Sequence, residues 1–401
     1  MRNTQWLDGI PASWIVSPAW SVFGERGEKS DHTDVHLTPS QTFGVLPQQE
    51  YMDRTGNRVV LNLAGQDNMK AVRKGDSIIH LRSFQGGIET SNLDGKVSTA
   101  YTVLSPAQNL AGNYFSYLLK SKAFIYELAN LTFQLRDGQT VNYSRFARMY
   151  LPVPPRDVQQ RIADYLDRET GEIDAMIAKM DELAGTLEAR RRGSIEATFA
   201  AVIDKAPLWS LTDGIIDCPH TTPEVDDDGP AVAVRTSSVR SGRYVPGNGL
   251  KVSLETAKQR NGTVPPRRGD IFFTREAPAG EAALVPEGAF CLGQRMVLLR
   301  IDAEVTDARF LLHALYTTAV QEEFRLSAGG STVVNLKLGT IRATQIPHAP
   351  LDEQKRIADH LDEVTSRIDQ MLAKVADLKS LLIERRAALI TDVVTGRKEV
   401  A

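Results

Sequence analysis

The sequence has little cysteine, no long apolar run and almost no net charge. Its two cysteines, Cys218 and Cys291, are too few for a disulfide framework and are typical of a reducing cytoplasm. No stretch of about 18 apolar residues occurs and the N-terminus lacks the pattern of a secretory signal, so we expect a cytoplasmic protein with no membrane partner. The formal net charge of −3 argues against a uniformly basic nucleic-acid-binding protein, although it is compatible with local basic patches.

Motifs of the common catalytic sites are also missing. The sequence contains no GxxxxGK(S/T) phosphate loop, no HExxH on a helix, no GxSxG, no GxGxxG after a strand and no Asn-Pro-Pro-aromatic tetrapeptide. His32 and His36 have the spacing of two helical metal ligands, but their β-branched neighbours predict a loop. Cys218, His220 and Cys291 would be only three zinc ligands, without a fourth. We therefore predict no catalytic residue, no metal and no cofactor in this chain.

What is present is a repeated stretch. Residues 159–191 and 354–386 align without a gap at an offset of 195 residues, and each follows a proline. Apolar residues recur in both copies at intervals of three and four, the pattern of a coiled-coil helix. Each copy therefore predicts one long helix, about 70 Å in the first case. So narrow an apolar seam needs a partner, either the other copy or a helix of another chain. The seam residues are Ile162, Leu166, Ile173, Met176, Met180, Leu183 and Leu187 in the first copy, and Ile357, Leu361, Val364, Ile368, Met371, Val375, Leu378 and Leu382 in the second.

The segments that precede the two helices also repeat one order of elements. A Gly-Asp turn precedes a strand in residues 73–82 (RKGDSIIHLR) and again in residues 267–276 (RRGDIFFTRE). An amphipathic helical stretch, a glycine-marked loop and a short strand ending in proline then follow in both halves. The chain is thus predicted to be an α/β (α+β) protein built as an internal repeat. Its parts are a domain at 1–153, a helix at 154–203, a domain at 204–348, and a helix with its tail at 349–401.

The glycine-marked loops contain side chains suited to reading DNA bases. Arginine, glutamine and asparagine form paired hydrogen bonds with guanine or adenine edges in the major groove. An alternative interpretation is an ordinary polar loop in which asparagine and glutamine cap turns. The candidates are Arg136, Gln139, Asn142 and Tyr143 in the first loop, Thr332, Asn335 and Lys337 in the second, Arg82 and Arg275 after the Gly-Asp strands, and Arg235 for phosphate contacts.

Three features together resemble the specificity subunit of a type I restriction–modification system. The first is the half-chain repeat. The second is the pattern of the helices, which open with Pro-x-x-x-Gln-x-Arg-Ile-Ala-Asp, the second of them closing on Val-Val-Thr-Gly. The third is IIDCPHTTPE at 215–224, similar to the Asp-Gly-x-His-x-Thr-Pro stretch of target recognition domains, with Cys218 in place of glycine. This stretch adds His220 and Thr221 to the candidate DNA-binding residues. The first domain instead has HLTPSQTFGV, which resembles a different class of recognition domain.

The resemblance implies DNA recognition without catalysis. Each target recognition domain would read one half of an asymmetric bipartite site in double-stranded DNA. The helices would pair as an antiparallel coiled coil related by a pseudo-two-fold axis, and their length would set the spacer. Two modification (methyltransferase) subunits would dock on the chain, bind S-adenosylmethionine and methylate a flipped adenine in each half-site. Restriction (translocase-nuclease) subunits would complete the complex. The alternatives are a coiled-coil adaptor that spaces two protein-binding domains and, further away, an enzyme acting on nucleic acid.

Overall fold

The chain folds into two compact units that share the two long helices. The computed structural model describes residues 5–57, 69–107, 110–111, 113–133, 141–327 and 335–400. Unit 1 comprises Met1–Met180 and Asp377–Ala401, and unit 2 comprises Asp181–Ala376. Among the helices of the described residues, none combines the length and apolar character needed to cross a membrane.

Unit 1 is a mixed α/β unit whose strands are short. Its strands are β1 (Ile15–Pro18), β2 (Phe23–Glu25), β3 (Leu37–Ser40), β4 (Gly44–Pro47), β5 (Lys70–Val72), β6 (Ser77–Ile79), β7 (Glu89–Thr90), β8 (Gly95–Val97), β9 (Thr102–Pro106) and β10 (Tyr150–Val153). Its helices are α1 (Gln48–Thr55), α2 (Ser83–Gly86), α3 (Tyr114–Leu118), α4 (Lys122–Phe133), α5 (Tyr143–Phe146), the first part of α6 (Arg156–Phe199) and the last part of α11 (Leu351–Val394).

The main sheet of unit 1 has the order β2-β9-β6-β7 and is antiparallel. Strand β1 pairs with β10, which leads directly into α6. Fully buried aromatic side chains, including Phe23, Tyr114 and Phe146, fill the core between the sheet and the helices. The Tyr114 hydroxyl, buried in this core, donates to the carbonyl oxygens of Pro152 (3.1 Å) and Val394 (2.9 Å). The end of the second long helix is thereby part of the core of unit 1.

Unit 2 contains a second set of short strands and helices. Its strands are β11 (Lys205–Pro207), β12 (Thr212–Asp217), β13 (Ala231–Val234), β14 (Val239–Arg240), β15 (Arg243–Tyr244), β16 (Leu250–Val252), β17 (Ile271–Thr274), β18 (Ala282–Leu284), β19 (Phe290–Leu292), β20 (Met296–Ile301) and β21 (Gln345–Pro347). Its helices are the end of α6, α7 (Leu254–Asn261), α8 (Ala308–Leu315), α9 (Thr318–Ser327), α10 (Leu338–Ala343) and the first part of α11 (Leu351–Val394).

The main sheet of unit 2 repeats the topology of unit 1. Its order is β12-β20-β17-β18, and β11 pairs with β21 as β1 pairs with β10. A further sheet, β16-β13-β19, contains one parallel pair, β13 with β19. The fold class predicted from the sequence, two α/β domains alternating with two long helices, is confirmed.

The Gly-Asp turns predicted from the sequence are structural. Gly75 and Gly269 both have φ of +94°, which glycine adopts without strain. The carboxylate after each glycine is buried, accepts from the backbone N–H of the residue three positions earlier, and pairs with an arginine. Asp76 pairs with Arg26 (2.5 Å) in unit 1, and Asp270 pairs with Arg300 (3.0 Å) in unit 2. Because both charges of each pair are tied internally, these motifs hold the sheets together.

The amphipathic stretches predicted as single helices are each broken into two. In unit 1 the break follows α3, where the Ser121 hydroxyl donates to the Leu118 carbonyl oxygen (2.8 Å). In unit 2 it follows α8, where the Thr317 hydroxyl donates to the Ala314 carbonyl oxygen (2.8 Å). A side-chain hydroxyl that takes a backbone carbonyl competes with the next helical hydrogen bond. The same break therefore arises at corresponding positions of both units.

The two long helices pair in antiparallel fashion within each unit. In unit 1, Asp174 of early α6 bonds Arg386 of late α11 (2.8 Å). In unit 2, Arg191 of late α6 lies 3.3 Å from Asp369 of early α11. The predicted seam residues differ in burial along the helices. Those buried are Ile162, Leu166, Ile173, Leu187, Leu361, Ile368 and Leu382; Met180, Ile357 and Val375 are half-buried; and Met176, Leu183, Met371 and Leu378 are exposed.

A buried glutamine joins each long helix to its domain. The Gln159 amide accepts from the Ala111 N–H (3.0 Å) and donates to the Pro154 carbonyl oxygen (2.9 Å). The Gln354 amide accepts from the Asp307 N–H (2.9 Å) and donates to the carbonyl oxygens of Ala349 (2.8 Å) and Val305 (3.0 Å). Each side chain thereby satisfies backbone groups that the first helical turn and the neighbouring domain would otherwise leave unpaired.

Candidate nucleic-acid interface

Three loops of unit 2 meet at one end of its main sheet. Strands β12 and β17 both run antiparallel to β20, and both end beside its first residues, with Asp217 opposite Val297 and Thr274 opposite Met296. The loops that follow β12 and β17, and the turn that precedes β20, therefore emerge at the same edge. Residues 335–337 join them, since Asn335 forms a β-bridge with Glu276. We call this edge the unit 2 loop cluster (residues 217–222, 275–276, 293–295 and 335–337).

Arg275 connects the members of this cluster. Its guanidinium Nη1 bonds both carboxylate oxygens of Asp217 (2.7 and 2.8 Å), and its Nε donates to the Leu336 carbonyl oxygen (3.2 Å). Its backbone N–H also donates to the carbonyl oxygen of Arg295 (3.0 Å). The side chain is mostly buried. Arg275 was predicted as a DNA contact, and that role stays a prediction. The described hydrogen bonds of its guanidinium are all to groups of this protein.

Arg260, a residue of α7, forms hydrogen bonds with backbone groups at two of these loops. Its guanidinium donates to the carbonyl oxygens of Leu292 (3.0 Å), Pro219 (3.3 Å) and Thr221 (3.1 Å). Pro219 and Thr221 belong to the loop after β12, and Leu292 is the last residue of β19, directly before the turn that leads into β20. One cation thus fixes the two loops relative to each other. Sequence reasoning missed Arg260, because 32 or more residues separate it from each acceptor.

The predicted residues His220 and Thr221 lie in the loop after β12. The His220 side chain is 72% exposed, and its Nε2 lies 3.3 Å from Asp217. Its carbonyl oxygen accepts from the Gln294 amide (3.3 Å). The Thr221 hydroxyl accepts from Arg260 (3.3 Å). His220 therefore points its ring outward from a loop that is held at both sides.

The turn before β20 presents two polar residues that the sequence did not single out. Gln294 is exposed, and Arg295 is an exposed residue with φ of +66° whose Nε lies 3.2 Å from Glu276. The adjoining Gly293 approaches Val234 so closely that a Cβ would lie 2.6 Å from its carbonyl oxygen. The pattern Gly-Gln-Arg between two apolar strands was the available signal for such a turn.

Three further predicted residues of unit 2 were Arg235, Asn335 and Lys337. Arg235 is exposed and follows Val234, whose carbonyl oxygen accepts from the Gly293 N–H (2.8 Å). Asn335 is exposed in the loop cluster, and exposed Lys337 immediately precedes α10. Asn335 and Lys337 thus belong to the cluster, and Arg235 lies beside it. Thr332 lies outside the described residues.

In unit 1 the predicted residues are more scattered. Asn142 caps α5, its side-chain oxygen accepting from the Arg145 N–H (3.2 Å), which is the turn-capping alternative. The Tyr143 hydroxyl donates to the Phe23 carbonyl oxygen (3.0 Å), and exposed Arg82 precedes α2. Arg136 and Gln139 lie outside the described residues. Unit 1 also holds a loop with a buried cation, since Lys96 donates to the His32 carbonyl oxygen (2.7 Å).

The two cysteines of unit 2 are buried, and burial raises the pKa of both thiols. Across the residues that the structure describes, no group of three or more histidine, cysteine or acidic side chains could hold a metal ion. The exposed side chains of the loop cluster are instead hydrogen-bond donors and cations. They are suited to contacts with base edges and phosphates.

The comparisons with known proteins point to one family. Residues 219–379 match the family model described as the type I restriction modification DNA specificity domain. The chain is 32% identical over 108 residues to the type I restriction enzyme EcoBI specificity subunit of Escherichia coli, covering 26% of this chain and 22% of that one. It is 20% identical over 275 residues to the putative type I restriction enzyme MjaX specificity subunit of Methanocaldococcus jannaschii, covering 65% and 62%. The matches thus span less than two thirds of either relative.

One solved structure has the same fold across nearly the whole length of the chain. That structure concerns the complex assembly and conformational transition of the type I R-M system. The TM-score is 0.61 at 17% identity, with 96% of this chain and 98% of that chain covered. The resemblance of this chain to type I specificity subunits is confirmed by the family-model match at residues 219–379 and by these relatives, and the solved structure confirms the fold.

Proposed function

We propose that this chain is the DNA-recognition subunit of a type I restriction–modification complex. Each unit would read one half of an asymmetric bipartite site in double-stranded DNA. The observation that carries the proposal is the repetition of one sheet order, β2-β9-β6-β7 and β12-β20-β17-β18, in two units that share two long helices. All but the last three of the residues that match the DNA specificity domain model (219–379) lie in the second unit.

In unit 2, the loop cluster is the proposed reading surface. His220, Gln294, Arg295 and Asn335 are exposed and lie on loops that Arg260 and Arg275 fix in place. Side chains held by a rigid frame discriminate bases better than mobile ones, because less conformational entropy is lost on binding. Arg235 and Lys337 would contact phosphates, which position the duplex without reading it.

Catalysis is assigned to partner subunits. Two modification (methyltransferase) subunits would dock on the chain, bind S-adenosylmethionine and methylate adenine, and restriction (translocase-nuclease) subunits would complete the complex. The exposed apolar pairs of the long helices support docking there. Met176 and Leu378 belong to unit 1, and Met371 and Leu183 belong to unit 2. Exposed apolar side chains at matching places of both units suit one kind of partner bound twice. The length of the helices would set the spacer between the half-sites.

The test is a comparison of methylation patterns. Cells that carry the cognate methyltransferase subunit with this chain should show a bipartite adenine-methylation motif that is absent with the methyltransferase alone. Asn335→Ala should weaken discrimination in one half of the motif by about 1–3 kcal/mol and leave the other half unchanged. If the two proteins associate and no motif appears, the coiled-coil adaptor becomes the better interpretation.

A further inference from the structure

A short turn bearing an exposed tryptophan occurs in both units. Its sequence is Pro-Ala-Trp-Ser at 18–21 and Pro-Leu-Trp-Ser at 207–210, and both form one turn of 3₁₀ helix. The Ser21 hydroxyl donates to the Pro18 carbonyl oxygen (2.7 Å), and the Ser210 hydroxyl donates to the Pro207 carbonyl oxygen (2.8 Å). The two turns therefore have the same internal bond as well as the same sequence pattern.

Both turns are anchored to their units by the residue before the tryptophan. Ala19 is fully buried, and its N–H donates to the Met149 carbonyl oxygen (2.7 Å). Leu208 is fully buried, and its N–H donates to the Thr344 carbonyl oxygen (3.0 Å). The acceptors occupy equivalent places, directly before the strand that leads into each long helix. The orientation of each turn is thus set by its own unit.

The tryptophans themselves are left in solvent. Trp20 and Trp209 are each 61% exposed, and large apolar neighbours along the chain, Ile15 in unit 1 and Ile203 in unit 2, are exposed too. An indole has a large apolar area whose burial is favourable, and exposed tryptophan is a common anchor of protein interfaces. Two domains with different loops have kept the same exposed side chain on the same anchored turn.

The position of Trp209 argues against a role in reading DNA. Strand β12 begins at Thr212, three residues after Trp209, and ends at Asp217 in the loop cluster. Six residues of extended strand span about 20 Å. The tryptophan therefore lies at the opposite end of this strand from the proposed reading surface. Residues that read the two halves of an asymmetric site must differ between the units. The tryptophan is the same in both units, so it does not behave as a reader of one half-site.

We propose that Trp20 and Trp209 each insert into an apolar pocket of a protein subunit, so that two copies of one partner bind, one per unit. This inference rests on the proposed function, under which the partner is the methyltransferase subunit. Pairing with further copies of this chain is disfavoured, because two equivalent patches per chain that bind other copies give rings or open assemblies. A distinct partner with one pocket closes the complex at two copies.

The experiment measures how many methyltransferase subunits the full-length chain binds, by native mass spectrometry and by titration. The wild-type chain should bind two copies. Trp20→Ala and Trp209→Ala should each weaken one copy at least tenfold, and the double variant should weaken both. Tyr126→Ala in unit 1 and Leu254→Ala in unit 2 are matched controls, with 68% and 59% exposure outside the turns. Because all four side chains are exposed, thermal unfolding should stay close to that of the wild type.

The outcomes separate this inference from the proposed function. If the wild-type chain directs a bipartite methylation motif and the double tryptophan variant still binds two subunits with wild-type affinity, the docking inference is wrong and the proposed function stands. Equal weakening by the control variants would also overturn it. So would intact subunit binding with reduced DNA affinity, or a change confined to self-association of the chain. If no motif forms at all, the proposed function fails first.

Discussion

Replacing Gln354 with leucine should loosen the joint between unit 2 and its long helix. Gln354 is fully buried, and its amide bonds three backbone groups, the Asp307 N–H and the carbonyl oxygens of Ala349 and Val305. Leucine fits the volume but leaves all three without this partner. A buried polar group left unsatisfied costs about 1–3 kcal/mol, so the lower limit for three groups is about 3 kcal/mol. The added apolar burial of leucine offsets part of that loss.

The corresponding change in unit 1 provides an internal comparison. Gln159 bonds two backbone groups, the Ala111 N–H and the Pro154 carbonyl oxygen. Gln159→Leu should therefore cost about 1 kcal/mol less than Gln354→Leu, because it leaves one fewer group unsatisfied, while the offset from leucine burial is similar. The difference between the two variants is more secure than either absolute value.

Hydrogen–deuterium exchange is the suitable assay, because a chain with two units does not unfold in one step. Peptides from β21 and the first turns of α11 should exchange faster in Gln354→Leu, and peptides from β10 and early α6 should exchange faster in Gln159→Leu. The increase in exchange rate should be about fivefold smaller in Gln159→Leu than in Gln354→Leu, because the two variants differ by about 1 kcal/mol. Gln160→Leu, at an exposed position, is the control. Equal exchange in all three variants would refute the assignment of the buried amides as the joints.

Three further predictions concern specificity, pH and spacing. Arg260→Met should relax the half-site read by unit 2 and leave the other half-site unchanged in a methylome, whereas Arg268→Met, at an exposed position, should alter neither. Burial, with Lys120 and Arg82 adding to it, lowers the pKa of His80 to about 4, below its ordinary value of 6.5. As the pH falls from 6.5 to 4, the unfolded chain protonates this histidine before the folded unit does, so the stability of unit 1 should decrease. Hydrogen exchange at β6 should show this decrease in the wild type but not in His80→Asn. Four residues inserted near Gly185 add about 6 Å of helix and should lengthen the spacer without changing either half-site; a methylome with an altered half-site would contradict this.

The parts of the fold that the sequence could predict depend on local or repeated patterns. The long helices follow from a seam sustained over many turns, and the two copies reinforce each other. The Gly-Asp turns follow from glycine at a position with φ of +94°. The breaks after α3 and α8 were missed, since a single serine or threonine hydroxyl decides them. Apolar periodicity continues through both breaks, so the pattern alone favours one helix.

The candidate interface was less predictable, because its contacts join distant parts of the chain. Arg275 and Asp217 are 58 residues apart, so the bonds that occupy this guanidinium are invisible to spacing arguments. Gln294 and Arg295 were missed because the turn that carries them joins β19 and β20, which belong to different sheets, so no local strand pairing marks it. Asn142 and Tyr143 matched the composition of base readers, yet their described bonds are those of a turn cap and of a core contact. Composition identifies chemistry but not which atoms are already used.

Under the proposed function, two similar units read different DNA, and the distribution of buried polar groups would allow this. The groups repeated between the units, Asp76 with Arg26, Asp270 with Arg300, and the two glutamines of the joints, are buried and satisfied. Replacing any one of them leaves a partner unpaired at a cost of several kcal/mol, so they are hard to change. The contacts of the exposed loop-cluster side chains, such as that of Arg295 with Glu276, are partly open to solvent, and surface substitutions change stability by about 0.5 kcal/mol or less. A frame of this kind would let exposed loop residues vary while the loops keep their positions, as the proposed reading of an asymmetric site requires.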